Sequence, residues 1–338
     1  MRRRFRFLLL ALSILMLSLL MLAGCGNAGQ AGETGTTEQA EEKAVLEYHY
    51  ANKDEAVSCY LANEQYFAGF SPCDIQYKTQ DKNGTLEMLK EYGADQMLEF
   101  TDEEKAGIDK MVSEMKADLE QNGYTLPGTG EITFIKSTQM EENDSGAYTH
   151  GTNIFLGQVL VDLICADEAE DREYGEYILW HEVFHCITRN NPDFRKDMYS
   201  IIHFTVQDED FKIPPSVFEK YISNPDVEHH NSYATFDING EKIDCFTALI
   251  AKEPFEKEGD AFFDCMDTAL IPIDGSDKYY LPDDATNFWD VFGKNTDYVV
   301  DPEECMADNF AFAMVYGKDG MEYENPEIIE AIIKDLSK

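Results

Sequence analysis

Basic residues are scarce in this chain of 338 residues, which holds 27 Lys and Arg against 66 Asp and Glu and carries a formal net charge of −39. A protein that binds phosphate backbones needs clustered Lys and Arg to displace counterions, so we exclude nucleic acid as a partner. Internal repeats are absent as well. A disordered acidic chain is excluded by the hydrophobic fraction of 43% and the aromatic fraction of 12%, which are sufficient to build a core.

The main apolar run, residues 7–22, is short for a helix that spans a membrane. It follows four arginines within the first six residues, an order typical of a secretory signal peptide. The next residues, Leu22-Ala23-Gly24-Cys25, resemble a bacterial lipobox. That resemblance implies removal of residues 1–24, lipidation of Cys25 and an extracytoplasmic protein that is lipid-anchored to the bacterial cell membrane.

Composition and turn signals divide the rest of the chain into three segments. Residues 25–44 are rich in Gly, Ala, Thr, Gln and Glu, which is typical of a flexible tether. Residues 45–130 combine an alternating stretch with helical runs, and we predict an N-terminal α/β subdomain there. The turn at Pro127-Gly128 favours a boundary near residue 130, followed by a second domain over residues 131–338.

The strongest chemical signal is the motif His181-Glu182-Val183-Phe184-His185, which lies within a long helical pattern that ends at Asn191-Pro192. Residues four apart on a helix project from the same face, so His181 and His185 can bind one tetrahedral metal ion. Glu182 then lies close enough to reach a water molecule on that metal. The alternative is a buried helix whose two histidines have other polar partners.

The motif itself does not supply a third ligand. Thr188 and Asn191 stand where the longer pattern HExxHxxGxxH requires Gly and His, so a third histidine from that pattern is excluded. Acids soon after the motif precede Pro214-Pro215 in a segment of weak helical character. None of them has an acid four residues further on: Asp208, Glu209 and Asp210.

A helical pattern later in the chain is a better source of the third ligand. Asp301 can cap this helix, and Pro302 suits its first position. Glu304 and Asp308 then lie one turn apart on one face, so Glu304 can bind the metal while Asp308 orients a histidine. Glu303 is the rival ligand, and a solvated, acid-capped helix start is the alternative to any metal role.

The segments HEVFH and EECMADNFAFA together resemble the gluzincin class of zinc metallopeptidases. The second segment is similar to the corresponding helix of anthrax lethal factor-like proteases. The resemblance covers these two short stretches and implies an α+β, zincin-like domain with a mixed sheet, a metal-binding helix and a mainly helical second lobe. It also implies one zinc ion held by His181, His185 and Glu304. Glu182 would be the general base, and Tyr298 would stabilise the tetrahedral intermediate.

Two further segments are candidates for contact with a substrate. An edge strand before the metal-binding helix pairs with extended peptides in zincins, and residues 151–156 lie at that place in the sequence. An interior strand is the alternative. His229, His230 and Tyr233 could donate hydrogen bonds to a developing oxyanion, whereas a solvated loop is the more common role of such a histidine pair.

Seven cysteines follow the lipidation site, an odd number that leaves at least one thiol unpaired within the chain. Two disulfide pairings are open: Cys59 with Cys73, and Cys245 with Cys265. Cys186 and Cys305 adjoin predicted ligands, but neighbours on a helix differ in direction by about 100°, so we expect both to be core residues.

The sequence as a whole predicts a cell-surface lipoprotein that hydrolyses peptide bonds with zinc. Its expected partners are a peptide or protein substrate and the membrane that holds its lipid anchor. A non-enzymatic surface binding lipoprotein on a zincin scaffold is one alternative, and a structural metal site is another. The intact motif with Glu182 favours the enzyme, because a binding scaffold has no need of a general base.

Overall fold

The computed structural model describes residues 45–256 and 265–338, which fall within one compact unit. The predicted signal peptide (residues 1–24), the tether (residues 25–44) and the lipidation site Cys25 lie outside the described residues. The described chain is α+β, as predicted. Within it, no helix has the length and apolar character that crossing a membrane requires.

Helices and strands are interspersed along the described chain. Up to the histidine motif the elements are β1 (Glu47–Tyr50), α1 (Lys53–Leu61), α2 (Glu64–Ala68), α3 (Pro72–Thr79), α4 (Leu86–Asp95), β2 (Met97–Leu98), α5 (Asp102–Asn122), β3 (Glu131–Ser137), β4 (Ala147–His150), β5 (Asn153–Leu156), α6 (Gln158–Ile164) and α7 (Ala169–Asn190). They are followed by α8 (Pro192–Ile201), β6 (Thr205–Val206), α9 (Pro215–Phe218), β7 (Tyr221–Ile222), β8 (Ser232–Ile238), β9 (Glu241–Ala251), β10 (Met266–Pro272), α10 (Phe288–Phe292), α11 (Pro302–Val315) and α12 (Pro326–Leu336).

The first sheet has the strand order β1-β3-β5-β4, and β2 pairs with β3 outside this path. Strands β1 and β5 run parallel to β3, whereas β4 runs antiparallel to β5. Strand β1 precedes residue 130 and β3 follows it, so the predicted domain boundary runs through a single sheet. Residues 45–130 are therefore not a separate subdomain, because their first strand completes a sheet built mainly from later residues.

Strand β4, and not the predicted segment 151–156, lies at the edge of this sheet. Most of that segment forms β5, which is hydrogen-bonded to β3 on one side and to β4 on the other. The tight turn at Gly151, with a φ of +60°, lets the chain reverse between β4 and β5. Because β5 pairs with β3, β4 is left in the outer position.

A second sheet is formed by the residues between α8 and α11. Its order is β10-β9-β8-β6, β7 pairs with β9, and all its pairings are antiparallel. Asn239 and Gly240 join β8 to β9 with φ values of 54° and 81°, which is the two-residue hairpin turn that their sequence favours. The residues after α7, for which a mainly helical lobe was expected, combine this antiparallel sheet with helices α8 to α12.

Helices α7 and α11 lie in the largest hydrophobic core. Every residue of α7 from 179 to 188 is buried, so this part of the helix has no solvent-exposed face. Phe310 of α11 packs against Trp180 and Phe184 of α7, with ring centroids 6.0 and 5.2 Å apart. Burial of side chains of this size stabilises a fold by roughly 1.5–3 kcal/mol each. This packing fixes the relative position of the two helices that carry the predicted ligands.

Close packing of α6 against α7 depends on Gly175. A Cβ atom at this position would lie 2.8 Å from Ile164 N and 2.9 Å from Leu163 C, both of which are backbone atoms. In an open helix Gly→Ala would stabilise by about 1 kcal/mol, but here it forces two helices apart. We expect Gly175→Ala to lower the free energy of unfolding by about 1–3 kcal/mol in a denaturant titration.

The matched control is Glu173→Ala, an exposed position on the same helix. It should change the free energy of unfolding by less than about 0.5 kcal/mol. An increase in stability of the Gly175→Ala variant would contradict the packing described above.

Candidate metal centre

Helix α7 presents His181 and His185 on one buried face, as their spacing requires. Their ring centroids are 4.9 Å apart. Helix α11 places Glu304 opposite them, with its Oε2 3.0 Å from His181 Nε2 and 3.7 Å from His185 Nε2. The structure thus brings the three predicted ligands together. Each offers one atom within 4.8 Å of the others, so the group could hold a metal ion.

A second carboxylate fixes the orientation of each imidazole. His181 Nδ1 lies 2.9 Å from Asp308 Oδ1, and His185 Nδ1 lies 2.9 Å from Glu303 Oε1. A carboxylate accepts, so each Nδ1 donates, and each Nε2 then points toward Glu304. Tyr177 in turn donates its hydroxyl hydrogen bond to Asp308. Such outer partners fix the tautomer and direction of ligating histidines.

Glu303 therefore lies on the far side of the His185 ring from Glu304 and does not compete with it as a ligand. It accepts hydrogen bonds from Thr188 Oγ1 at 2.6 Å and from the hydroxyl of Tyr199. Burial acts to raise the pKa of Glu303, but its contacts with His185 and nearby arginines lower it to about 2. The only sign of this role in the sequence is that Glu303 and Glu304 are neighbours on a predicted helix, so their side chains differ in direction by about 100°.

The atoms of this group fit a bound cation. Within the described residues, His185 Nε2 is buried and has no hydrogen-bond partner. Leaving such an atom unpaired costs about 1–3 kcal/mol. Zinc bound at about 2.0–2.2 Å in tetrahedral geometry would hold its ligand atoms roughly 3.3–3.6 Å apart. The separations of 3.0 and 3.7 Å from Glu304 Oε2 bracket that range. Two imidazoles and one carboxylate form a donor set that suits zinc and leaves one position open.

The electrostatics of the site also favour a cation. Five carboxylates are buried around the two histidines: Glu182, Asp226, Glu303, Glu304 and Asp308. Burial, together with the charges of Glu182 and Glu304, raises the pKa of Asp226 well above its usual value. The pKa of His181 is raised as well, because its hydrogen bonds to Asp308 and Glu304 outweigh the opposing effect of burial. A divalent ion would offset this concentration of negative charge.

Glu182 lies between the histidine pair and the edge strand of the first sheet. Its Oε2 accepts a hydrogen bond of 2.7 Å from Thr149 Oγ1 of β4. Glu182 also belongs to a second group of possible ligands with His185 and Asp226, whose ligand atoms lie within 4.8 Å of one another. The Glu182 carboxylate thus lies close to His185 and to the strand that carries Thr149.

Tyr298 reaches the same site from the segment before α11. Its hydroxyl donates to Glu304 Oε1 at 3.2 Å, and its ring centroid is 6.2 Å from that of His181. The residue is 40% exposed, whereas its hydroxyl lies near the carboxylates of Glu304, Asp226 and Asp308. Burial and the charges of Glu304, Asp226 and Asp308 raise the pKa of Tyr298 well above its usual value, so the phenol remains a hydrogen-bond donor.

The three other candidate donors have partners outside this group. His229 Nδ1 lies 3.2 Å from the carboxylate of Asp210. His230 Nε2 lies 3.0 Å from the Tyr221 hydroxyl, and burial lowers the pKa of His230 to about 4. Tyr233 belongs to β8, where it pairs with β6. The structure does not bring these residues to the histidine pair, because the loop before β8 turns them toward the second sheet.

The cysteines contribute no ligand to this group. Cys186 and Cys305 are buried, and burial raises the pKa of the Cys186 thiol to about 12, so it stays protonated. The seven cysteines of the described part are all free thiols: Cys59, Cys73, Cys165, Cys186, Cys245, Cys265 and Cys305. Neither of the two possible disulfide pairings is therefore formed in this structure.

Sequence reasoning missed two residues that the loop between β7 and β8 delivers to the site. Asp226 Oδ1 lies 3.9 Å from His185 Nε2, and Asn224 donates its amide hydrogen bond to Glu304 Oε1. No periodic pattern marks either residue, because a loop reaches the site through tertiary packing alone. The only local sign is the run Asn224-Pro225-Asp226, which is typical of a turn.

Comparisons with protein-family models, with curated proteins and with solved structures give no match to this chain.

The carboxylates behind the imidazoles should control metal affinity. We expect Glu303→Gln and Asp308→Asn each to weaken zinc binding by about 10–100-fold, because each imidazole loses the charged partner that orients it. Competition with a chromogenic chelator would measure the dissociation constants. Glu330→Gln, at an exposed position of α12, is the matched control and should leave zinc affinity unchanged. Wild-type affinity in both site variants would contradict the orienting role.

Proposed function

We propose that this chain is a zinc metallopeptidase of the gluzincin type, which hydrolyses peptide bonds with Glu182 as general base. One observation supports this most strongly. Two histidines one helical turn apart and a glutamate from a second helix direct three ligand atoms to one point, and a further carboxylate stands beside it. Three ligands from the protein leave a position for water or substrate, which is typical of catalytic zinc and not of structural zinc.

The proposed location is the outer face of the bacterial cell membrane. The basic start, the apolar run and the sequence Leu22-Ala23-Gly24-Cys25 support a lipid anchor at Cys25. The membrane would then be one partner and a peptide or protein substrate the other. The excess of acid over base argues against nucleic acid as a partner.

Each residue of the site has its own role in the proposed reaction. Zinc held by His181, His185 and Glu304 would supply a Lewis acid and lower the pKa of a coordinated water to about 7. The Glu182 carboxylate takes one proton from the attacking water and delivers it to the leaving amine, so that the hydroxyl adds to the carbonyl carbon and the C–N bond breaks. The hydrogen bond from Thr149 Oγ1 keeps Glu182 turned toward the reacting atoms.

Tyr298 and strand β4 would complete the site. The Tyr298 hydroxyl can turn from Glu304 to the oxygen of the scissile carbonyl as negative charge develops there. Strand β4 is the edge of the first sheet and also carries Thr149, so an extended peptide that pairs with it would pass beside Glu182.

Glu182→Gln tests the general base. The variant should bind one equivalent of zinc as the wild type does, because Glu182 is not one of the three ligands. Its rate of hydrolysis of a library of internally quenched peptides should fall by about 10²–10⁴-fold. Glu173→Gln, an exposed position on the same helix, should keep the wild-type rate.

The alternatives predict other outcomes. A zinc-loaded wild type that cleaves no peptide faster than Glu182→Gln would contradict the enzyme and favour a binding protein on the same scaffold. Unfolding of the chain on zinc removal, measured by circular dichroism, would instead favour a structural metal site.

Tyr298→Phe tests the proposed oxyanion donor. Loss of the hydroxyl should lower kcat by about 10²-fold or more, because one hydrogen bond to the transition state is removed. KM and zinc affinity should change little, since the ring remains in place. Tyr92→Phe, at an exposed position of α4, serves as the control for a tyrosine away from the site. An unchanged kcat in Tyr298→Phe would remove this residue from the mechanism.

A further inference from the structure

The proposed catalytic groups are closed off from solvent in this structure. The exposed fractions are 7% for His181, 3% for Glu182 and 0% for His185 and Glu304. A peptidase must admit a peptide bond to these groups. One wall of the closure is the loop between β7 and β8, from which Asn224 donates to Glu304 and Asp226 lies against His185.

The same loop occupies the free edge of β4. The backbone N–H of Thr149 donates to Asp226 Oδ1 at 2.6 Å, and the backbone N–H of Gly151 donates to Glu228 Oε1 at 2.8 Å. The other side of β4 pairs with β5, so the N–H group of Thr149 is one that an added peptide strand would use. The N–H group of Gly151 belongs to the turn that directly follows β4. Two carboxylates hold these N–H groups instead.

Arg189 of α7, the proposed metal-binding helix, binds this loop. Its Nη2 donates to the backbone oxygen of Asp226 at 2.9 Å, and its Nε lies 3.1 Å from Glu228 Oε1. At the start of the loop, the N–H of Ser223 donates to Asp74 Oδ2 at 3.0 Å. The positive charge of Arg189 lies near Glu228 and Asp226, and it offsets the repulsion of Asp226 by Glu182 and Glu304.

Cavities on both sides of the loop support its role as a partition. A cavity of about 750 Å³ includes His150 and Gly151 in its wall, and a cavity of about 260 Å³ includes Thr188 and Arg189. Residues 227–229 line both cavities. Displacement of the loop would remove the wall that the two cavities share.

We infer that residues 224–228 form an inhibitory strap, which holds the peptide-binding edge of β4 and covers the metal centre until it is displaced. The strap is a regulatory element of the proposed peptidase and rests on that proposal. When the strap is in place, Asp226 and Glu228 stand where the backbone of an extended substrate would pair. When it moves away, Thr149 and Gly151 become free to bind the substrate.

The test compares zinc-loaded wild type with Asp226→Ala and Glu228→Ala. If the open state is a minor population, removal of either carboxylate raises the competent fraction, and we expect kcat/KM for the quenched peptide library to rise by about tenfold. Hydrogen exchange of the Thr149 and Gly151 amides should accelerate by a similar factor, and this readout needs no substrate. Glu209→Ala, an exposed acid in a neighbouring loop, is the matched control and should change neither quantity.

The outcomes separate the strap from the proposed activity. Hydrolysis absent from wild type and both variants, with zinc bound, contradicts the peptidase. Hydrolysis by wild type that is unchanged or lower in both variants overturns the strap, and a loss confined to Asp226→Ala would make Asp226 part of the catalytic machinery. Glu228 is exposed, so Glu228→Ala keeps the test valid even if Asp226→Ala does not fold.

Discussion

The contact between α7 and α11 is the constraint on which the rest of the structure depends. Each histidine of α7 lies against two carboxylates of α11: His181 between Asp308 and Glu304, and His185 between Glu303 and Glu304. Neither helix could bury these groups alone, because an imidazole or carboxylate without a partner is costly in an apolar core. The aromatic packing of Phe310 around the site holds the helices at the distance that these contacts need.

Helix geometry explains how three acids of α11 take different positions. Glu303 and Glu304 differ in direction by about 100°. Glu303 therefore reaches Nδ1 of His185, while Glu304 faces the Nε2 atoms of both histidines. Asp308 is one turn after Glu304 and meets His181 from the other side. Glu303 and Glu304, which are adjacent and carry the same charge, thus face opposite nitrogens of the His185 ring.

Local sequence patterns were sufficient for much of the fold and the site. The α7 helix, the cap of α11 by Asp301 and the hairpin at Asn239-Gly240 all follow from spacing within one or two elements. The meeting of His181, His185 and Glu304 was implied by the resemblance of their two helices to a known family, whereas spacing alone left Glu303 open as the rival ligand. The order of strands in the first sheet does not follow from such spacing, because it depends on the side of β5 on which β4 pairs. The approach of Asp226 to the site depends on loop packing across distant parts of the sequence, and no periodicity records such packing.

The carboxylate contacts along β4 have a consequence for the solubility of the protein. An exposed sheet edge presents unpaired backbone groups that can nucleate aggregation between chains. A sheet edge that can pair with a peptide strand is open to such aggregation, because self-association uses the same N–H groups. Asp226 and Glu228 satisfy those groups with charged side chains and leave no adjoining strand for another molecule to extend. The fold can thereby leave the edge of β4 in place without offering its N–H groups to every neighbouring copy of itself.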